Sequence, residues 1–264
     1  MRILGLDFFD GTVAEAVDRA LKAGGLIVAP SGTCFDRLRR DEVYRDAVTN
    51  ADIVLPDSGF MVSLWRLLRG GRINRISGLA YLKELFARPD FRASQSTVWV
   101  LPNDNAREKS MRWLKEHGFA TNSADFYVAP MYGPRVEDSV LVDRIQAQRP
   151  AHVVIALSGG VQEKLGFYLR ANSLPSSDLG LPTSDFRPPT SDLCRPPTIH
   201  CIGAALGFIA GYQTGIPAWA DRLYLGWFMR LISNPRVFIP RLWEARSLPT
   251  LISTYGEKLP PLRN

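Results

Sequence analysis

Three loops of this sequence carry residue types that can move a proton or hold an anion, and each follows a short apolar run. Asp57 follows the apolar residues 53–55 and precedes a segment whose apolar residues recur at helical spacing. A carboxylate there can take a proton from a hydroxyl group, and the plainer alternative is that it caps the following helix. Arg72 and Arg75 lie in the next loop, where a guanidinium fork suits a diphosphate, although solvated surface arginines give the same pattern.

A glycine turn forms the third loop. Residues 158–164 read Ser-Gly-Gly-Val-Gln-Glu-Lys after the apolar run 153–157, which is the pattern of a strand, a tight turn and a helix start. Free backbone N–H groups and the helix dipole at such a turn favour an anion. A single glycine turn is a weak signal, so it needs support from the residues near it.

Two aspartates near the N-terminus, Asp7 and Asp10, suggest an alternative chemistry. A phosphohydrolase of the Asp-x-Asp type places its second acid two residues after the nucleophile, whereas these two are three apart. In an extended segment such side chains point to opposite faces and cannot both serve one phosphate. The plainer interpretation is that Asp10 or Thr12 caps the first helix.

The composition indicates a folded protein with excess positive charge. Of the 264 residues, 46% are hydrophobic and 22% are charged, which excludes disordered, collagen-like and disulfide-scaffold proteins. The net charge of +6 favours phosphates, anionic lipid or nucleic acid as partners. The three cysteines form no Cys-x-x-Cys pair and the three histidines are isolated, so we expect no metal site and no cofactor. The first residues do not form a signal peptide, and we expect a cytoplasmic location.

Short apolar runs alternate with helical patterns along most of the chain. This alternation predicts an α/β fold with a Rossmann-like, mostly parallel sheet flanked by helices. Ligands of such sheets bind beyond the carboxyl ends of the strands, where the three loops lie. The predicted strands are near residues 3–6, 26–29, 53–55, 97–101, 126–128, 153–157 and 199–202. The predicted helices cover residues 12–22, 58–69, 81–86, 106–116, 136–148 and 162–171.

Two segments differ in composition from this pattern. Residues 173–197 contain a Pro- and Ser-rich seven-residue period, which predicts a low-complexity insertion. Over residues 222–246, five arginines stand against one acid among aromatic residues, which suits anionic lipid headgroups or, equally, a terminal helix packed on the domain. We predict an α/β domain over residues 1–211 and a helical, membrane-proximal appendage over residues 212–264. No nucleic-acid-binding signature accompanies the basic segment, so nucleic acid is not an expected partner.

Four segments, taken in order, resemble the WecG/TagA/CpsF glycosyltransferases, which form glycosyltransferase family 26. They are ADIVLPD at 51–57, RISG at 75–78, QEK at 162–164, and the C-terminal stretch with PAW at 217–219 and LGWFMRLISNP at 225–235. The resemblance implies a Rossmann-like domain with a C-terminal appendage, peripheral at the inner face of the plasma membrane. It also implies an inverting, metal-independent transfer of an N-acetylmannosamine-type sugar from a UDP-sugar to an undecaprenyl-diphosphate-linked acceptor.

The resemblance also implies roles for individual residues. Asp57 matches the general base, and Arg75 and Gln162 match further catalytic positions. The candidate substrate-binding residues are Ser31, Asn103, Gly159, Gly160, Glu163, Arg230 and Arg236, and no residue is assigned to a metal. The expected partners are the UDP-sugar, the lipid-linked acceptor, an anionic membrane surface and a second copy of the chain in a homo-oligomer.

The sequence departs from the family pattern around these residues. Ala29 and Ser31 stand where Thr-x-Asn is usual, Ala80 stands in place of an aspartate, and Ser58 in place of a glycine. These changes keep the acid–base residue and alter its surroundings. The alternative function is therefore a non-catalytic relative that binds a nucleotide sugar or assists such enzymes as a partner protein.

Overall fold

Six short apolar segments pair into one parallel sheet in a computed structural model, which describes residues 1–93, 96–173, 196–213 and 245–263. Their order across the sheet is β4-β3-β8-β7-β5-β6, and every adjacent pair is parallel. The predicted Rossmann-like α/β class is confirmed. Numbered in chain order, the strands are β1 (Arg2–Ile3), β2 (Leu6–Asp7), β3 (Leu26–Val28), β4 (Ile53–Val54), β5 (Thr97–Leu101), β6 (Phe126–Val128), β7 (His152–Ile155) and β8 (Thr198–Cys201).

Helices cover both faces of this sheet. A parallel sheet buried on both faces needs apolar residues on both, and in β3 Leu26 and Val28 join one apolar cluster while Ile27 joins the other. The described helices are α1 (Val13–Ala23), α2 (Glu42–Thr49), α3 (Gly59–Arg69), α4 (Gly78–Ala87), α5 (Pro89–Ala93), α6 (Asp104–Glu116), α7 (Ser139–Gln148), α8 (Val161–Asn172), α9 (Ala205–Ile209) and α10 (Leu248–Tyr255), with 3-10 segments at Gly32–Arg39 and Ser123–Asp125.

The predicted first strand near residues 3–6 is wrong. The N-terminus forms a separate antiparallel hairpin of β1 and β2. Leu4 and Gly5 have φ angles of 50° and 80°, the positive values that a two-residue hairpin loop of type I′ requires. The prediction of a helix cap is confirmed at Thr12, whose hydroxyl accepts a hydrogen bond from the Glu15 N–H at 3.2 Å.

Between β3 and β4 the chain forms the 3-10 segment Gly32–Arg39 and α2, neither of which was among the predicted helices. Asp41 caps α2 by accepting the Tyr44 N–H at 3.0 Å, and Tyr44, Ala47 and Val48 are buried. These spacings of three and four residues are helical, so the signal was present in the sequence but short. The 3-10 segment matters for the site because it starts at the carboxyl end of β3.

Residues 245–263 pack on the α/β core. Leu248, Leu251 and Ile252 of α10 are buried in the same cluster as β3, and Arg69 of α3 donates to the Ile252 carbonyl oxygen at 3.0 Å. Residues 214–244 and 174–195 lie outside the described residues, so the boundary at 211/212 and the insertion at 173–197 stay predictions. None of the helices in the described ranges is long and apolar enough to cross a membrane.

Two strand connections diverge in the middle of the sheet. β7 leads to its neighbour β8 on one side, whereas β5 leads to its neighbour β6 on the other. Such a reversal opens a crevice beyond the carboxyl ends of the strands, where ligands of open α/β sheets bind. The loops that carry the candidate site residues meet at this edge.

Candidate active site

Asp57 does not cap the helix that follows it. Ser58 does so, because its hydroxyl accepts the Met61 N–H at 3.2 Å. The Asp57 carboxylate instead accepts the N–H of Gly78, the first residue of α4, at 3.0 Å. It therefore lies half-buried at the N-terminus of a second helix, where the helix dipole favours a negative charge. The capping alternative for Asp57 in α3 is wrong.

Arg75 contacts Asp57 directly. Its Nε donates to the Asp57 carbonyl oxygen at 2.8 Å, and its side chain is half-buried. Buried Ile73 and Ile76 anchor the loop on either side, whereas Arg72 is exposed. Of the two arginines singled out in this loop, Arg75 is thus the one that the described structure bonds to the backbone of Asp57.

Gly78 lets α4 begin against the end of β8. A Cβ built on Gly78 would lie 2.8 Å from the carbonyl oxygen of Ile202, which is closer than real Cβ atoms come. Ile202 follows directly on β8, and the Gly78 N–H is the donor that Asp57 accepts. The position of the Asp57 carboxylate is therefore coupled to a strand two places away in the sheet.

Gln162 ties the start of α8 to the loop after β8. Its Oε1 accepts the Gly203 N–H at 2.6 Å and its Nε2 donates to Glu163 Oε1 at 3.2 Å. The Gln162 side chain is only 2% exposed. Both ends of its amide are thus engaged inside the protein, at the edge where Asp57 also lies.

Glu163 is completely buried and holds the glycine turn. Its Oε2 accepts the Gly160 N–H at 2.6 Å. Burial raises the pKa of the Glu163 carboxyl, while hydrogen bonds, including those from the Gln162 side chain and the Gly160 N–H, and the nearby charge of Arg37 act to lower that pKa. Glu163 was predicted to bind substrate, and its described contacts are those of a residue that fixes the turn.

Free backbone N–H groups were expected at this turn, and this expectation is wrong for Gly160, Val161 and Gln162. The Gly160 N–H is taken by Glu163, and the N–H groups of Val161 and Gln162 both lie 3.2 Å from the Ser158 carbonyl oxygen. A carboxylate already occupies the anion position at this helix end. An additional anion therefore needs a charge partner other than these donors.

Ser31 and Gly159 stand next to one another. The Ser31 hydroxyl lies 3.0 Å from the Thr33 hydroxyl and 3.2 Å from Cys34 Sγ. A Cβ on Gly159 would lie 2.9 Å from Cys34 Sγ and 3.4 Å from Ser31 Oγ, so the turn packs closely against this loop. The loops after β3 and β7 are thereby packed together.

The other predicted site residues stand apart from this cluster or outside the described chain. Asn103 follows β5 and caps α6, accepting the Ala106 N–H at 2.9 Å, with its side chain exposed. Arg230 and Arg236 lie outside the described residues. Within those residues, no group of three or more His, Cys, Asp or Glu side chains is arranged to hold a metal ion.

One residue near the turn escaped the sequence analysis. The guanidinium of Arg37, in the 3-10 segment after β3, lies against Gly160. The two phosphohydrolase candidates are both exposed: Asp7 lies in the hairpin and faces Arg2 at 4.0 Å, and Asp10 follows residues 8–9, which pair with Val54 of β4. Within the described residues, neither of these side chains makes a hydrogen bond to the loops of this cluster, whereas Asp57 accepts one from Gly78.

Comparison with known proteins places this arrangement in a family. One curated relative, an N-acetylglucosaminyldiphosphoundecaprenol N-acetyl-beta-D-mannosaminyltransferase of Bacillus subtilis (strain 168), is 24% identical over 197 residues. The match covers 74% of this chain and 66% of the relative, so the chain spans just under two thirds of that protein's length. The sequence model described as the glycosyl transferase WecG/TagA/CpsF family matches residues 1–177 and 187–263, nearly the whole chain. The chain therefore belongs to the WecG/TagA/CpsF family of glycosyl transferases.

Proposed function

We propose that this protein transfers an N-acetylhexosamine, of the N-acetylmannosamine type, from a UDP-sugar to an undecaprenyl-diphosphate-linked acceptor in the synthesis of a surface polysaccharide or teichoic-acid-type polymer. Family membership and the name of the Bacillus relative support the reaction class. The observation that carries the proposal is the Asp57 carboxylate, held by the Gly78 N–H at 3.0 Å beside Arg75 at the carboxyl edge of the sheet.

Asp57 is the general base in this mechanism. A carboxylate within hydrogen-bond reach of the acceptor hydroxyl takes its proton as the oxygen attacks the anomeric carbon. The bond from that carbon to the diphosphate oxygen breaks on the opposite side, so the configuration inverts and UDP leaves. The Gly78 N–H fixes the direction of the carboxylate, because the donor belongs to a packed helix start.

The order of the loops along the sheet suggests how the UDP-sugar lies across the site. Moving from β4 to β7, the edge presents Asp57, Ser31, Gly203 and Gly160, and β5 follows with Asn103. Three strand intervals of about 4.8 Å separate β4 from β7 by roughly 14 Å. We place the nucleoside near the divergence of β5 and β7, the diphosphate over the Gly159–Gly160 turn, and the sugar towards Asp57.

Positive charge stabilises the departing diphosphate in this scheme. The leaving group carries negative charge as its bond to the sugar breaks, and fixed cations at that place lower the barrier. Arg75 brings one guanidinium to the Asp57 side of the edge. Arg230 and Arg236 of the basic C-terminal segment are proposed to approach the diphosphate from the membrane side, and the reaction is proposed to need no metal.

Gln162 and Glu163 act by positioning in this scheme. The Gln162 side chain accepts the Gly203 N–H and so connects the start of α8 to the loop after β8. The Glu163 side chain accepts the Gly160 N–H and so holds the glycine turn closed. Both side chains are buried, so their effect on a substrate passes through the loops they hold. Ser31, half-buried in the loop after β3, is the proposed hydroxyl contact to the sugar.

The membrane part of the proposal rests on the acceptor and on the basic segment. An undecaprenyl carrier keeps its diphosphate at the bilayer surface, and arginines interleaved with aromatic residues suit anionic headgroups. We therefore propose that residues 222–246 bring the site to the inner face of the plasma membrane. We also propose that a second copy of the chain is a partner, in a homo-oligomer.

The test is acceptor-dependent release of UDP. The parent protein is incubated with a panel of UDP-sugars, with and without a short prenyl-diphosphate-linked sugar, and UDP is measured. Release that needs both substrates supports the transferase and identifies its donor. Tight UDP binding without release from any pair supports the second candidate, a non-catalytic nucleotide-sugar binder, which is favoured by buried Ala29 and by the engagement of Ser31 with its own loop.

A further inference from the structure

The guanidinium of Arg37 packs on the glycine turn before α8. A Cβ built on Gly160 would lie 2.8 Å from Arg37 Cζ and 2.9 Å from both Nε and Nη1. Gly160 also has a φ of 89°, a conformation that L side chains rarely adopt. The backbone conformation thus favours glycine at this point, and the Arg37 guanidinium lies in the space that a Cβ would occupy.

Arg37 makes no hydrogen bond or ion pair with its guanidinium in the part of the chain that the structure describes. By contrast Arg40, the residue directly after this 3-10 segment, pairs with Asp36 at 2.9 Å. Arg37 is half-buried, so part of the residue is open to solvent and to a ligand that approaches the turn.

The backbone donors at this turn are occupied, so Arg37 is the group there that can offer positive charge to an anion. The Gly160, Val161 and Gln162 N–H groups bond to Glu163 and to the Ser158 carbonyl oxygen. Glu163 lies inside the protein, and the positive charge of the nearby Arg37 acts to lower the pKa of its carboxyl group. An outside anion would meet the guanidinium first, in the planar geometry that suits phosphate oxygens.

We propose that Arg37 binds the diphosphate of the nucleotide donor over the Gly159–Gly160 turn. This inference rests on the proposed function, since it assigns a ligand to a residue of that site. Arg37 neutralises charge on the β-phosphate as UDP leaves, while Asp57 acts on the acceptor hydroxyl at the opposite face of the anomeric carbon.

Equilibrium binding of UDP, UMP and uridine to the full chain tests the proposal. We expect Arg37→Gln to weaken UDP binding by about tenfold to hundredfold, because a charged hydrogen-bond partner is lost. Uridine binding stays within about threefold of the parent, and Arg37→Lys recovers part of the loss, since it keeps the charge without the fork. Arg40→Gln removes an equal charge directly after the same segment and leaves UDP binding unchanged.

The outcomes separate this inference from the proposed function. A parent protein that binds no UDP overturns the donor assignment and the inference together. A parent that binds UDP, with Arg37→Gln binding it equally well, overturns the inference alone. Weakening of UDP, UMP and uridine by the same factor in Arg37→Gln also overturns it, because that pattern reports a structural effect on the turn.

Discussion

The carboxylate of Asp57 accepts its hydrogen bond from the backbone N–H of Gly78 at 3.0 Å, and not from the helix that Asp57 precedes. The loop after β4 is thereby joined to the start of α4. Ser58 performs the capping of α3, which leaves the Asp57 side chain directed to a second helix. Ser58 thus has a structural use in this chain.

Gly78→Ala should damage both folding and activity. The added Cβ would lie 2.8 Å from the Ile202 carbonyl oxygen, and backbone cannot yield as a flexible side chain does. We expect a loss of about 1–3 kcal/mol in the free energy of unfolding. Displacement of the Asp57 donor should lower the transfer rate by about a hundredfold. Gly133→Ala is the matched control, because nothing lies within 4 Å of a Cβ there, and denaturant unfolding with UDP-release rates gives both quantities.

Gln162→Met should destabilise the protein without altering its surface. The substitution keeps the side-chain length but leaves the Gly203 N–H without the acceptor that Gln162 supplies at 2.6 Å. An unsatisfied buried donor costs about 1–3 kcal/mol. Gln148→Met, on an exposed side chain, should change stability by less than about 0.5 kcal/mol. Equal unfolding midpoints for the two variants in urea would contradict the positioning role of Gln162.

Acid should destabilise the protein through His200. This side chain is fully buried between the Tyr81 hydroxyl at 3.0 Å and His152 at 3.3 Å, and burial followed by the charge of His152 holds its pKa well below the usual value. The unfolded chain binds a proton there below about pH 6.5 and the folded chain does not, so stability falls as pH drops below that value. The slope from this group approaches about 1.4 kcal/mol per pH unit.

Chemical unfolding measured from about pH 8 to about pH 5 checks this dependence. The difference between parent and His200→Gln isolates the contribution of one group from the other titrating residues. An unchanged slope in His200→Gln would show that His200 is not the source.

The basic C-terminal segment should bind anionic vesicles. Arg230→Gln/Arg236→Gln removes two charges from it, at about 1 kcal/mol each near an anionic surface. Arg112→Gln/Lys115→Gln removes two charges from the exposed face of α6 and serves as control. Vesicle flotation should show a loss in the first variant only, and added salt should weaken the parent's binding because exposed charges are screened. Equal binding by both variants would exclude this segment as the membrane contact.

Much of the sheet was predictable from apolar runs alone. The strands at 97–101 and 126–128 match the predicted bounds, because buried parallel strands are continuously apolar and end sharply. The N-terminal hairpin was missed because its turn residues, Leu4 and Gly5, include a leucine at positive φ, for which sequence offers no sign. The helix α2 was missed because its buried face is short.

The site was predictable only in part, and for a physical reason. Asp57, Arg75 and Gly78 belong to the segments 51–57 and 75–78 that carry the family resemblance, so the sequence could single these residues out. Arg37 and Gly160 are far apart in the chain and are brought together only by the fold. Neither an arginine nor a glycine in a sequence indicates such a contact. The occupied N–H groups of the glycine turn were equally hidden, since their acceptors, the Glu163 carboxylate for Gly160 and the Ser158 carbonyl oxygen for Val161 and Gln162, belong to the motif itself.

The central claim, that Asp57 is the general base, is tested most directly by the acceptor-dependent rate of UDP release in Asp57→Asn. The asparagine amide oxygen can still accept the Gly78 N–H, so the fold is kept while the proton acceptor is removed. We predict a rate lower by about a hundredfold to ten-thousandfold, with an unchanged thermal unfolding midpoint and with Asp10→Asn at the parent rate. An Asp57→Asn protein that releases UDP as fast as the parent would contradict the account.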